Sequence, residues 1–347
     1  MAFLSRIKRF LARVKRKEAR AEDPERAFEE SSIEEDSDNI GPPFIGPYEL
    51  RSSEAVVFSF EEVKAFTDHF PGDDRFLGND GFSRVHKGYC DKTNQLVAVK
   101  ERQGRNMPEL VGLGKFREEA EGLHYMHHPN IVRLVGYCKE GSERLLVYEY
   151  IPMGSLKDVL YGKCMKPKLI GWGKRLKIAY GLSKALVYLH DIMKCPHGNL
   201  KPSNVLIGEN YKALLTDTGL AGMEPKLDHI HKGYNAPEVL SPRDKLTKSS
   251  DVYSFGIILL ALLSGRKAYD FTRSENERFL VDWARPLIKK QSYEELIDPR
   301  LTRRNIRVPN QELLYVVNLA IECVWAYPRV DIMYAANILS FCRKSYH

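Results

Sequence analysis

Hydrophobic and polar positions follow two different periods, and the change between them divides the main part of the chain in two. Residues 96–100 and 145–150 are short apolar runs, which predict strands. Residues 116–126 and 174–190 have helical periodicity, and residues 251–264 are apolar on nearly all sides, which predicts a buried helix. In 174–190 the shared face consists of Ile178, Leu182, Ala185 and Leu189. A strand-rich part followed by a helical part predicts an α+β fold with a small β-rich lobe and a larger helical lobe.

The first 20 residues combine positive charge with an apolar stripe. Eight of them are Lys or Arg and one is acidic, so this segment alone equals the formal net charge of +7. Its apolar residues recur at helical spacing: Phe3, Leu4, Ile7, Phe10, Leu11 and Val14. An amphipathic helix of this kind inserts its stripe into a lipid interface and places its cations on anionic headgroups. A solvated leader and a transit peptide are the alternative interpretations.

Residues 21–57 are predicted to form a linker. Residues 21–40 contain nine acids and a single Arg, and Ser31, Ser32 and Ser37 lie among those acids. Gly and Pro then recur without a sustained period. The serines are either phosphorylation sites or solvating linker residues. We therefore expect a tail over 1–57 before the folded domain.

Composition and cysteine spacing exclude several classes of protein. The chain has 43% hydrophobic and 29% charged residues, as folded soluble proteins do. No run of about 18 apolar residues occurs, so no membrane-spanning helix is predicted. The six cysteines lie far apart and no signal peptide is visible, which favours reduced thiols in the cytosol over a disulfide framework or a zinc site. The positive charge is confined to the tail, so no nucleic-acid partner is expected.

Several chemistry-bearing segments follow one another in a fixed order. Each is weak alone, since a lysine that closes a strand is usually just solvated. Together their order and spacing match the protein-kinase signature set. The segments are the glycine-rich stretch 77–85, a strand ending in Lys100, Glu119 in a helix, His197 to Asn204, Asp217 to Gly219, and Ala236 to Glu238.

The chain resembles the plant receptor-like kinases and their cytoplasmic relatives over residues 58–342. The phrases that carry the resemblance are 58–70, similar to the helix before the kinase domain of that family, 128–138, 154–156 and 251–256. Without a predicted membrane span, the cytoplasmic subgroup fits better. The resemblance implies a bilobal protein-kinase-like fold, with an N-lobe over 58–151 and a C-lobe over 152–343. It also implies ATP and Mg²⁺ as cofactors and active receptor-like kinases or other signalling proteins as partners. The implied location is cytoplasmic, peripheral at the plasma membrane if the tail attaches there.

The resemblance also implies a role for each matching residue. Lys100 would hold the α- and β-phosphates and Glu119 would brace it, while Asn204 and Asp217 would hold the magnesium ions. Lys201 would neutralise the transferred phosphate. The other positions that the resemblance assigns to nucleotide binding are Gly78, Gly81, Val85, Ala98, Tyr148, Glu149 and Tyr150.

The catalytic base of the family is replaced in this chain. Its His-Arg-Asp motif reads His197-Gly198-Asn199. The family's aspartate accepts the proton of the substrate hydroxyl, and the amide of Asn199 orients a hydroxyl without taking its proton. General-base catalysis is worth about 10²–10⁴ in rate. Transfer at background or at a much reduced rate is therefore expected.

Further departures fall on catalytic parts of the pattern. Asp80 and Ser83 replace glycines of the phosphate loop, and Thr218 replaces the phenylalanine of Asp-Phe-Gly. Residues 219–238 contain no Ser or Thr. The main interpretation is a pseudokinase that acts as a signalling scaffold or allosteric partner and binds ATP weakly. A slow Ser/Thr kinase and a module that binds no nucleotide are the alternatives. The family also pairs the counterpart of Glu238 with that of Arg329, and His197 is expected to be structural.

Overall fold

The computed structural model describes residues 55–69, 75–79, 83–102, 109–141, 143–162, 170–218, 232–239, 246–302, 310–325 and 328–344. The N-terminal lobe contains β1 (Val56–Val57), α1 (Phe60–Phe66), β2 (Phe76–Asn79), β3 (Ser83–Cys90), β4 (Gln95–Arg102), α2 (Glu109–His124), β5 (Leu134–Cys138) and β6 (Leu145–Glu149). The C-terminal lobe contains α3 (Leu156–Tyr161), α4 (Trp172–Val187), β7 (Val205–Ile207), β8 (Ala213–Leu215), α5 (Lys248–Ser264), α6 (Leu280–Lys289), α7 (Tyr293–Leu296), α8 (Pro299–Thr302), α9 (Asn310–Cys323) and α10 (Ile332–Lys344).

The N-lobe is one six-stranded sheet in the order β1-β5-β6-β4-β3-β2. Strands β3, β4 and β6 pair antiparallel, and the predicted strands 96–100 and 145–150 are confirmed as β4 and β6. Val97 and Val99 alternate with more exposed neighbours on β4 and are fully buried, because successive side chains of a strand point to opposite faces. The α+β fold with a small sheet lobe is confirmed.

The sheet begins within the expected linker, whose last two residues form its first strand. Strand β1 pairs parallel with β5, with Val56 opposite Gly136. A Cβ at Gly136 would lie 2.3 Å from the Val56 carbonyl oxygen, so glycine permits this close approach. Three side chains of the following segment join the core of the N-lobe: Phe58, Val63 and Phe66.

Helix α1 starts at a capping box. The Glu62 N–H donates to Ser59 Oγ at 3.2 Å, and the Ser59 N–H donates to Glu62 Oε2 at 2.8 Å. Two backbone donors that the first turn leaves without helical partners are thereby satisfied. The helix that the family phrase at 58–70 implies is therefore present, and it packs on the sheet.

Helix α5 forms the centre of the C-lobe. Every residue from Ser250 to Ser264 is buried, which confirms the expectation for this apolar run. It begins at the cap Thr247 and ends at Gly265, whose φ of 68° is in the left-handed region. The predicted helix at 174–190 is confirmed as α4, which packs against α5 and α10. In the described part of the chain, no helix is long and apolar enough to cross a membrane.

The loop before β5 joins the two lobes. The His128 ring stacks on Tyr188 with centroids 5.2 Å apart. Asn130 donates from Nδ2 to the Ala213 carbonyl oxygen at 2.7 Å. Burial lowers the pKa of His128 to about 3, and Lys184 and Lys212 add to the shift. The folded protein therefore holds this imidazole neutral.

We expect this histidine to make the fold sensitive to mild acid. Its folded pKa of about 3 lies below the usual 6.5, so the unfolded chain binds the proton first as the pH falls below 6.5. At pH 5 the linkage costs about 2 kcal/mol of unfolding free energy relative to neutral pH. Urea unfolding at pH 7.5 and pH 5 measures the loss. His128→Gln should lose less between these two pH values than the natural chain, and equal losses would contradict the assignment.

Candidate functional site

The predicted lysine and metal-binding aspartate meet in the cleft between the lobes. Lys100 Nζ lies 2.8 Å from Asp217 Oδ1, and the two residues are 4% and 5% exposed. Lys100 is carried by β4 of the N-lobe, whereas Asp217 follows β8 of the C-lobe. This ion pair therefore links the lobes at the point where the resemblance places the phosphates. Glu119 is 2% exposed on α2.

The turn after β8 is strained at Asp217. This residue has a φ of 61°, in the left-handed region that Asp enters more readily than most residues. Its neighbour Thr218, which replaces the family's phenylalanine, is 3% exposed. The replacement thus puts a hydroxyl in a buried position where the family has an aromatic ring.

Each of the two metal ligands that the resemblance implies, Asn204 and Asp217, uses one side-chain atom in a contact within the protein. Asn204 donates from Nδ2 to the Asn199 carbonyl oxygen at 2.8 Å, which leaves its Oδ1 for other partners. Asp217 accepts from Lys100 with Oδ1. Its second carboxylate oxygen is the other candidate ligand atom, along with Asn204 Oδ1. Amide and carboxylate oxygens are the ligands that Mg²⁺ prefers. This donor chemistry fits Mg²⁺ carried by nucleotide phosphates.

Asn199 is held in place by its neighbour His197. The Asn199 N–H donates to His197 Nδ1 at 3.1 Å, and His197 Nε2 lies 2.9 Å from the Thr216 carbonyl oxygen. Burial lowers the pKa of His197, although Asp251 opposes the shift. The neutral ring, protonated at Nε2, satisfies both contacts. His197 is thus structural, as expected, and it fixes the backbone of the base position.

Asp251 is a site residue to which neither the apolar pattern of its helix nor the family phrase at 251–256 gave a role. Its Oδ2 accepts from the His197 N–H at 2.6 Å, and its Oδ1 accepts from the Gly198 N–H at 2.8 Å. The same Oδ2 lies 2.8 Å from His190 Nε2. The available signal was a carboxylate at the start of an otherwise apolar helix, because a buried charge requires partners.

The remaining predicted nucleotide-binding residues lie on the strands beside this pair. In the sheet, Val85 is opposite Lys100 and Ala98 is opposite Tyr148. Gly78, on β2, is opposite Val85. Gly78, Val85 and Lys100 therefore lie in one row across three neighbouring strands. Gly81 lies outside the described residues. Tyr150 has Lys87 Nζ 4.7 Å from its ring centroid.

The side chain of Glu149 contacts Arg133. Its Oε1 accepts from the Arg133 backbone N–H at 2.9 Å, and its Oε2 lies 3.7 Å from Arg133 Nε. The carboxylate thereby fastens the end of β6 to the segment before β5. Any nucleotide contact of Glu149 is left to its backbone.

The comparisons with known proteins agree with this geometry. The protein kinase domain model matches residues 73–305. A probable serine/threonine-protein kinase of Arabidopsis thaliana, PBL6, is 42% identical over 303 residues, which cover 84% of this chain and 70% of that protein. The serine/threonine-protein kinase PBS1 of the same plant is 41% identical over 281 residues, 78% of this chain and 60% of PBS1. A receptor-like cytoplasmic serine/threonine-protein kinase of Gossypium barbadense that interacts with EPD1 is 41% identical over 271 residues, 73% and 57% of the two chains.

The chain belongs to the plant receptor-like cytoplasmic kinases.

One family feature is absent from this receptor-like cytoplasmic kinase in the residues that the structure describes. The expected pair of Glu238 and Arg329 does not form there. The Arg329 guanidinium lies instead over the Trp325 ring, 4.0 Å from its centroid. Glu238 Oε2 is shielded from solvent without a hydrogen-bond partner. The expectation was wrong because Trp325, four positions before Arg329, provides an aromatic face that attracts the cation.

Proposed function

We propose that this receptor-like cytoplasmic kinase is a pseudokinase that acts as a signalling scaffold or allosteric partner of active receptor-like kinases. The observation that carries the proposal is Asn199. Contacts from His197 and Asn204 hold its backbone at the position of the catalytic base. The amide there has the size of a carboxylate and negligible basicity, so orientation is retained and proton acceptance is lost.

Phosphoryl transfer by the natural chain is expected at or near background. Kinases turn over at about 1–100 s⁻¹, and loss of the general base would reduce this turnover to about 10⁻⁴–1 s⁻¹. Transfer of ³²P from ATP to a generic acceptor protein measures this rate. A Lys100→Ala variant gives the background, because it removes the cation of the buried pair. A turnover in the range of ordinary kinases would refute the pseudokinase proposal and support a Ser/Thr kinase.

Weak, magnesium-dependent ATP binding belongs to the same proposal. Lys100, Asn204 and Asp217 supply a cation and metal ligands, and when ATP is bound Mg²⁺ would neutralise phosphate charge. Asp80, outside the described residues, adds a negative charge to the phosphate loop. Two unit charges about 6 Å apart interact by roughly 3 kcal/mol at an effective dielectric of about 20. Such repulsion weakens ATP binding by up to about 100-fold.

Thermal unfolding with ATP and magnesium tests nucleotide binding. We expect a small rise in Tm that needs both components, a larger rise for Asp80→Gly, and none for Lys100→Ala. A dissociation constant below 1 μM by calorimetry would contradict weak binding. No shift for the natural chain under any condition would favour a module that binds no nucleotide.

The remaining part of the proposal concerns location. A cytoplasmic location is supported by the relative from cotton, which is named a cytoplasmic kinase. Peripheral attachment at the plasma membrane through residues 1–20 is supported by their charge and apolar stripe alone.

A further inference from the structure

A basic surface runs along the outer side of α4. It consists of Lys174, Tyr180, Lys184, Tyr211, Lys212 and Arg343, and we call it the α4 basic patch. Two cations contact one aromatic ring, since Lys184 Nζ lies 5.0 Å and Arg343 Cζ 4.8 Å from the Tyr180 centroid. Lys174 Nζ lies 4.2 Å from the Tyr211 centroid. The flanking rings therefore hold flexible cations in fixed positions.

Within the described part of the chain, the lysines of the α4 basic patch have no acidic partner at ion-pair distance. None of the salt bridges between described residues involves Lys174, Lys184 or Lys212. Burial lowers the pKa of Lys184, and the charged groups that lower it further are Arg343 and Lys212, both cations. Like charges gathered around Lys184 repel one another, so an anionic partner would stabilise the patch.

The tail enters the domain from the side of this patch. Because β1 runs parallel to β5, the chain arrives at Val56 from the end where β5 begins. That end follows the loop of His128, whose ring stacks on Tyr188 directly after α4 and is influenced by Lys184 and Lys212. Ala55, the first described residue, packs against the larger hydrophobic cluster, which contains residues of both lobes. The tail therefore leaves the domain near the patch.

We propose that the acidic segment 21–40 of this same chain docks on the α4 basic patch. The segment contains nine acids against one Arg, a net charge of −8 that complements the patch. The 14 residues from 41 to 54 connect it to Ala55. At about 3.3–3.6 Å per residue they span up to about 50 Å, which is enough to reach α4.

The competing partner for the acidic segment is the basic stretch 1–20. That pairing would bring together two segments of the tail, both outside the described residues. The patch offers cations already positioned by rings, so less conformational entropy is lost on docking. Docking on the patch leaves residues 1–20 available for another anionic surface.

Carbodiimide cross-linking of the full chain tests this docking, because it joins a carboxylate to a lysine amine only in close contact. Mass spectrometry should find links from residues 22–38 to Lys184 that decline between 0.05 and about 0.5 M NaCl, as screening requires. Lys174→Gln combined with Lys212→Gln should lower the yield at Lys184 by about 2- to 30-fold. The matched control is Lys289→Gln with Lys290→Gln, which removes the same charge from the exposed end of α6 and should leave the yield unchanged.

Four outcomes would overturn the proposal. One is cross-linking of the acidic segment mainly to Lys8, Lys15 and Lys17. A second is equal loss of yield in the control variant. A third is that a mixture of ¹⁴N- and ¹⁵N-labelled chains gives mainly mixed-label links, which would assign the contact to a second copy. The fourth is that Lys174→Gln with Lys212→Gln lowers co-sedimentation with phosphatidylserine vesicles and leaves the cross-links intact, which would make the patch a membrane-binding surface.

Discussion

Replacing Asn199 by aspartate is expected to raise phosphoryl transfer about 10²–10⁴-fold over the natural chain. The backbone around the position is already held by His197 Nδ1, at 3.1 Å from the Asn199 N–H, and by the contact with Asn204. A carboxylate would therefore enter a prepared position and supply the missing base. Single-turnover transfer of ³²P to an acceptor protein measures the gain.

The matched control for this gain carries a second substitution, Asn199→Asp with Asp217→Asn. Because Asp217 pairs with Lys100 and is the metal ligand that the resemblance implies, the second change should return transfer to background. If Asn199→Asp alone stays at background while the protein remains folded, the missing base is not the principal defect. The replaced loop residues Asp80 and Ser83 would then become the leading explanation.

Arg175→Met is expected to destabilise the fold by about 3–5 kcal/mol, the cost of breaking a buried ion pair from one side. Arg175 and Asp298 are each 2% exposed, and Arg175 Nη2 lies 2.5 Å from Asp298 Oδ2. The guanidinium also donates to the carbonyl oxygens of Leu262 at 2.5 Å and Ile170 at 2.8 Å. The substitution therefore leaves two buried carbonyl oxygens without this donor, and it removes one cation from the buried carboxylate of Asp298.

Chemical denaturation followed by tryptophan fluorescence measures this loss. Arg273→Met is the control, because Arg273 is half exposed and its Nε lies 3.7 Å from Asp270 Oδ2, a surface pair worth about 0–1 kcal/mol. A loss for Arg175→Met as small as that of the control would show that the network around Asp298 holds without Arg175. In that case Arg300, which also binds Asp298, would carry the contact.

The elements with strong periodicity and the residues in motif order were predictable from the sequence. Helix α5 is buried on all sides as its apolar run requires, and Lys100 meets Asp217 although 117 positions separate them. Motif order carries this information because each motif occupies a fixed place in the fold. Strand β1 was missed because two residues are too few to show a period, and only its partner β5 makes it a strand.

The choice of partner by charged side chains was the least predictable part. Glu149 binds Arg133, and Arg329 lies over Trp325, yet either could have paired elsewhere by charge alone. Such choices depend on which groups the tertiary fold brings within a few ångströms. Asp251 illustrates the same limit, since its three contacts come from residues more than 50 positions away.

The pairing of β1 with β5 has a consequence for shortened forms of the protein. A chain begun at Phe58, where the family phrase starts, would lack β1 and leave one side of β5 unpaired. Exposed edges of this kind recruit strands from other molecules and lead to aggregation. The Gly136 backbone would then lose the Val56 carbonyl group that lies beside it in the intact sheet. Two residues that carry no catalytic chemistry thus cover this side of β5.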